Sequence, residues 1–225
     1  MQIKKIFFII FLLSISAIYA MKQQFHTKEF ILVLDPAGDA KRTGRAIGDA
    51  FERGLTLQCA EKIKSLLEER CSYIKVVITR LPGDSVYDLQ NASLSNRINA
   101  DLFISLHFYQ TQDTKPTLFL YQFSYGNDFA THNADYLALN TYDQAYKINK
   151  YTTDNLAHLF RTQLTQQRYV SLFSLSGPHA LPIKPLIGIT APGIALEAGL
   201  KNKEAWHLFA EPLTDAIMAV IEKLN

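Results

Sequence analysis

The sequence predicts a single α/β domain, built on a twisted, mostly parallel sheet of about six strands with helices on both faces. Three observations point to it. Short apolar runs alternate with longer stretches of helical period, the order that yields a parallel sheet covered on both sides. After a leader at residues 1–20, no run is long and apolar enough for a membrane span. About 205 residues then remain, 21–225, enough for one domain with a substantial core.

The leader is read from Lys4 and Lys5, a thirteen-residue and almost wholly apolar stretch at 6–18, and Tyr19-Ala20 before the expected cut. That is the pattern of a secretory signal peptide, and it implies an exported chain, periplasmic or secreted.

Residues 30–34 form the first strand, stopped by Asp35-Pro36. A loop over 37–44 follows. A helix then runs to about Arg70, because Ile47, Phe51, Leu55, Cys59, Ile63 and Leu66 recur at helical spacing as one buried stripe. Residues 74–79 are a second strand, 89–99 a short helix and 102–107 a third strand. Residues 117–123 alternate into a fourth.

Residues 124–150 are polar and tyrosine-rich with no clean period, a variable insertion. Helix returns over 152–167, with Thr153-Asp154 as its cap. Residues 169–175 read as a strand broken by Ser176-Gly177-Pro178. The last inner strand is 193–196, and a closing helix covers 204–224, where Pro212 is expected to kink or break it.

Charge and cysteine usage exclude two function classes. Loss of Lys4 and Lys5 with the leader leaves 21 basic against 21 acidic residues, without the basic field that nucleic-acid binding needs. Cys59 and Cys71 lie about 18 Å apart along one helix, beyond the roughly 7 Å that a disulfide spans. Neither has a histidine nearby in sequence, so a thiol nucleophile is not expected.

The chemistry gathers at strand ends. Asp35, His107 and Glu197 each close an apolar strand, at the carboxyl edge where open α/β sheets take ligands. Glu52 lies in the first turns of the helix after strand one. A neutral imidazole at 107 is a candidate metal ligand or proton carrier.

Five blocks then carry a resemblance. They are Ile-Leu-Val-Leu-Asp35-Pro36; Glu52 with Leu57; Thr79-Arg80; Asn96 leading to Asp101-Leu-Phe-Ile-Ser-Leu-His107; and Pro192-Gly-Ile-Ala-Leu-Glu197-Ala-Gly199 with Asn202. Across residues 30–223 the chain resembles the zinc-dependent N-acetylmuramoyl-L-alanine amidases. These enzymes cleave the stem peptide from the glycan of bacterial peptidoglycan.

The resemblance implies Glu52 and His107 as zinc ligands and Glu197 as the catalytic glutamate. It also implies peptidoglycan as substrate, and a cell-wall activator protein as a partner such enzymes can need. Three protein ligands would leave one open position for an acidified water. The family's first zinc histidine falls on Gly38, so Asp39, or less readily His179, is the expected replacement.

Two functions stay open at this point. One is a zinc amidase with an altered ligand set. The other is an inactive homologue that binds peptidoglycan or a cell-wall partner. Tyr109, where the family has a small or amide residue, implies a reshaped groove floor. Two readings of the insertion stay open: a loosely packed surface loop, or a segment whose Tyr125, Tyr136, Tyr142 and Tyr146 line a sugar or peptide contact.

Overall fold

Residues 29–87, 89–125 and 141–224 are described by a computed structural model. The expected leader and Tyr136 lie outside the described residues. The apolar runs become β1 (Phe30–Pro36), β4 (Ile74–Ile78), β5 (Leu102–Gln110) and β8 (Gly193–Leu200), which pair in parallel. β6 (Thr117–Phe123) runs antiparallel beside β8, and β7 (Ser174–Leu181) pairs parallel to β6 at the edge. The six-stranded order is β4-β1-β5-β8-β6-β7, as the expected mostly parallel sheet requires.

The two faces carry separate cores. Leu32, Leu34, Ile104, Leu106 and Leu196 point to one side, where they meet α1 (Glu52–Arg70), α3 (Lys150–Leu164) and α4 (His207–Leu224). Val33, Phe103 and Ala195 point to the other. That side is covered more lightly, by α2 (Gln90–Arg97) and two 3-10 turns, Tyr142–Asn149 and Lys184–Leu186. The light cover leaves the carboxyl half of the second face open.

The α1 stripe is Leu55, Cys59, Ile63 and Leu67, all buried. Cys59 and Cys71 are both buried and free, as the axial distance requires. Burial pushes the Cys59 thiol up to about 12, so it stays protonated.

The structure differs from the sequence-based elements at three places. Residues 46–51 are not helix but a small hairpin, β2 (Ala46–Ile47) and β3 (Ala50–Phe51), and Phe51 is exposed at the start of α1. Residues 169–173 are not strand, and Gly177-Pro178 does not end one but lies inside β7, which an edge strand tolerates. Pro212 does not break α4, which runs unbroken from His207 to Leu224.

In the insertion, Tyr146 is buried against Phe123 with ring centroids 5.1 Å apart, a packing role rather than a binding one. No helix of the described residues is long and apolar enough to cross a membrane.

Candidate active site

Register builds the site. His107 of β5 lies directly opposite Glu197 of β8, and Glu197 lies opposite Phe119 of β6. Side chains alternate along a strand, so Asp35, Ser105, His107, Glu197, Phe119 and Tyr121 all project from the open second face.

Glu52 reaches this row from the first turn of α1. Its Oε1 stands 3.5 Å from His107 Nδ1, close enough for both to hold one ion at about 2 Å. The same carboxylate also accepts two backbone N–H groups, from Phe108 at 3.0 Å and Arg45 at 3.1 Å. Burial opposes charge on Glu52, but the contacts from His107, Arg45 and Phe108 outweigh it and hold the carboxyl below its usual range. Gly44 has φ +73°, and a Cβ there would fall 2.7 Å from Glu52 Oε2, so only glycine lets Glu52 sit here.

The third ligand place is closed. Gly38 has φ +77°, and a Cβ built on it would lie 2.7 Å from Arg53 Cβ and 3.0 Å from Arg42 O. Asp39 does not replace the missing histidine. Its Oδ1 caps the N–H groups of Lys41 and Arg42 at 2.8 Å each, and its Oδ2 accepts from the Arg42 guanidinium at 2.9 and 3.0 Å and from the Val86 N–H at 3.3 Å.

Burial would raise the Asp39 carboxyl, but these donors, Arg42 foremost, hold it far below the ordinary value of 3.8. At 3% exposure it is a loop anchor. His179 does not join either: it sits on β7 opposite Tyr121, with Ser176 Oγ 2.9 Å from its Nε2.

Among the described residues, no three His, Cys, Asp or Glu side chains are placed to hold a metal. Of the expected ligands Glu52 and His107 face each other, while Asp39 and His179 are held elsewhere, so the described residues do not assemble a three-ligand set.

What supports His107 is nevertheless complete. Ser105 Oγ lies 3.0 Å from His107 Nε2 and donates to Asp35 Oδ2 at 2.8 Å. Asp35 Oδ1 accepts from Thr79 Oγ1 at 2.9 Å and Asn91 Nδ2 at 2.7 Å. Buried Arg80 fixes the turn above it, donating to the carbonyls of Pro36, Ala37 and Arg53. Asn96 bridges α2 to Gly188 and Thr190. The Thr79-Arg80 and Asn96 blocks are therefore staples that hold the site's walls.

Glu197 has partners that single-sequence reading missed. Arg45 Nη1 lies 2.5 Å from its Oε1, and Tyr121 donates its hydroxyl to Oε2 at 3.0 Å. Arg45 also reaches Phe108 O at 3.3 Å. A lone arginine in a loop carries no motif. The β6 aromatics did leave a signal, since the period of two puts Phe119, Tyr121 and Phe123 on one face.

A cleft of about 540 Å³ opens on the β1 side of this row, lined by Gly38, Glu52, His107, Tyr87, Leu89 and Lys184 among others. It lies outside the carboxyl ends of the strands, as open α/β sheets dispose their sites.

A glutamate–imidazole pair with a second glutamate beside it, at the carboxyl edge of a mostly parallel sheet, defines an α/β site of the hydrolase type. The family model described as N-acetylmuramoyl-L-alanine amidase matches residues 32–219. The chain belongs to this family, amidohydrolases acting on the amide between N-acetylmuramic acid and L-alanine in cell-wall peptidoglycan.

Solved amidases share the fold at low identity. The Ami1 amidase of Mycobacterium smegmatis is 15% identical with TM-score 0.63, covering 87% of this chain and 98% of that one. AmiC2 of Nostoc punctiforme is 18% identical with TM-score 0.61, covering 86% and 98%. The CwlD amidase of Clostridioides difficile, solved in complex with the GerS lipoprotein, is 16% identical with TM-score 0.58, covering 86% and 98%. No curated protein matches the chain.

Proposed function

We propose that this chain carries out its family's reaction at the row formed by His107 and Glu197. The observation that supports this most is the placement of Glu197. The residue that the sequence resemblance gives as the catalytic glutamate lies directly across from His107, with its side chain 20% exposed on the open face.

A carboxylate there can take a proton from water as the oxygen attacks the amide carbon, then return it to the departing alanine nitrogen. Each Glu197 oxygen keeps a lone pair beyond its contacts with Arg45 and Tyr121, so both contacts orient it without consuming it. Arg45, half exposed beside it, is the cation placed to face the developing oxyanion. His107, held by Ser105 through Nε2, turns Nδ1 toward Glu52. The chain's own residues thus supply a proton carrier, a cation and an oriented imidazole.

Export to the periplasm or outside the cell suits a cell-wall substrate and the signal-like residues 1–20. An activating protein partner fits the same reading, since one structural relative, CwlD, is complexed with a lipoprotein.

Stem-peptide release from purified peptidoglycan tests the assignment, with wild type compared to Glu197→Gln, alongside muropeptide binding and zinc content. The expected result is a loss of at least about 100-fold in release for the variant with folding unchanged. Equal release from both proteins overturns the role of Glu197. Binding without release in wild type shows a domain that recognises the wall and leaves it uncut.

A further inference from the structure

On the far side of Glu197 from the cleft, four rings follow one another across the open sheet face. Tyr109 of β5 lies 6.2 Å from Phe119 of β6, and Phe119 lies 6.1 Å from Tyr121 with planes only 17° apart. His179 of β7 closes the row, 5.8 Å from Tyr121 and 6.5 Å from Phe119. The hydroxyl of Tyr121 is bonded to Glu197, so this row and the candidate catalytic carboxylate share an atom-to-atom contact.

We propose that Tyr109, Phe119, Tyr121 and His179 form the subsite that takes the sugar ring of the glycan strand, while the cleft takes the peptide. The inference rests on the amidase reading and adds an orientation to it.

The geometry argues for a sugar in three ways. A pyranose ring presents C–H bonds on its flat face, and aromatic faces, negative at the centre, attract them. Phe119 and Tyr121, near parallel and both partly exposed, line an open stretch of sheet rather than a closed pocket, which suits a flat ring continuing into a chain. The rim is polar: the Glu197 carboxylate accepts, and the Tyr121 and Tyr109 oxygens, whose protons go to Glu197 and to the Thr117 carbonyl, can accept from sugar hydroxyl and acetamido N–H groups.

Position completes the argument. Strands lie about 4.8 Å apart, so Phe119 is one strand from Glu197 and His107 is one strand away on the opposite side. The cleft beyond His107 combines apolar walls at Val86, Leu89 and Ile187 with basic Arg42 and Lys184. A stem peptide, with alkyl side chains and carboxylates, matches that lining better than a sugar does. Seated this way, the bond that joins sugar to peptide falls on the His107–Glu197 row.

The test uses three probes: the N-acetylglucosaminyl–N-acetylmuramic acid disaccharide, the free stem peptide, and the complete disaccharide–peptide. Binding is followed by calorimetry and by proton NMR of the sugar. Wild type is expected to bind the disaccharide with upfield shifts of its ring C–H protons, the mark of stacking. Phe119→Leu and His179→Ala are expected to weaken disaccharide binding by roughly tenfold and to leave stem-peptide binding unchanged. His179 is exposed, so its variant keeps the fold even if Phe119→Leu does not. Unchanged disaccharide affinity in both variants, or equal weakening of both probes, overturns the sugar subsite. Failure of wild type to bind the complete disaccharide–peptide overturns both the subsite and the amidase reading. Binding of the complete probe with no affinity for the disaccharide alone overturns the subsite only.

Discussion

Ser105 Oγ lies 3.0 Å from His107 Nε2, and the same hydroxyl donates to Asp35 at 2.8 Å. A buried serine thus fixes which imidazole nitrogen faces Glu52. This is the outer support that a metal-binding or proton-carrying histidine needs, kept where the third metal ligand is absent.

Ser105→Ala should leave a buried Asp35 oxygen without its donor and the His107 ring without its anchor. The expected cost is about 1–3 kcal/mol, read as a melting temperature lower by about 2–4 °C for each kcal/mol. Nitrogen NMR of the imidazole should show the tautomer balance move. A ring that stays in one tautomer would show that Ser105 does not set it.

Gly38→His should restore neither zinc nor stability. The side chain would need a left-handed backbone and would press on Arg53. The strain amounts to roughly 1–3 kcal/mol. Metal analysis and thermal melting check this, and stoichiometric zinc in the variant would show that the Asp39 loop yields.

Acid should weaken the protein through Asp39. Its folded pKa lies below the ordinary 3.8, so its contribution is full above that value and is lost as the pH falls through the folded pKa. Asp39→Asn should be less stable than wild type at neutral pH, with the two melting curves converging as pH drops toward about 2. Glu52, shifted the same way, should leave a residual acid slope in the variant. Parallel curves over the whole range would remove Asp39 as the source.

Arg45→Ala separates the site from the fold. A half-exposed ion pair contributes about 0–1 kcal/mol, so melting should barely move. Stem-peptide release should fall by roughly tenfold or more as the cation beside Glu197 disappears. An increase in release would mean that Arg45 restrains Glu197 instead.

The sheet was legible because buried parallel strands are apolar runs, and β1, β4, β5 and β8 stand near where those runs lie, while β6 shows through its alternation. The β2–β3 hairpin was hidden because Ile47 and Phe51 happen to fall in phase with the α1 stripe. β7 starts five residues later than the apolar run at 169 suggests and continues through Gly177-Pro178, a pair that resembles a stop inside sheets but is tolerated at their edges.

In the site, Glu52, His107 and Glu197 were legible as strand and helix ends, and the first two do face each other. Asp39 misled because a carboxylate in a glycine-containing loop caps backbone N–H groups as readily as it binds a cation. Arg45 depends on a contact 152 positions away in sequence, which no local pattern encodes.

The outer strands carry one more consequence. An open sheet ends in two rows of unpaired backbone groups that invite strands from other molecules. Here one margin is β7, where Pro178 offers no N–H for an incoming strand. The other is β4, Ile74–Ile78, otherwise apolar, where exposed Lys75 is the second residue. With both cysteines buried and free, no covalent brace limits transient opening of the chain. Pro178 and Lys75 thus stand at the two margins in the manner by which edge strands are blunted against pairing with other molecules.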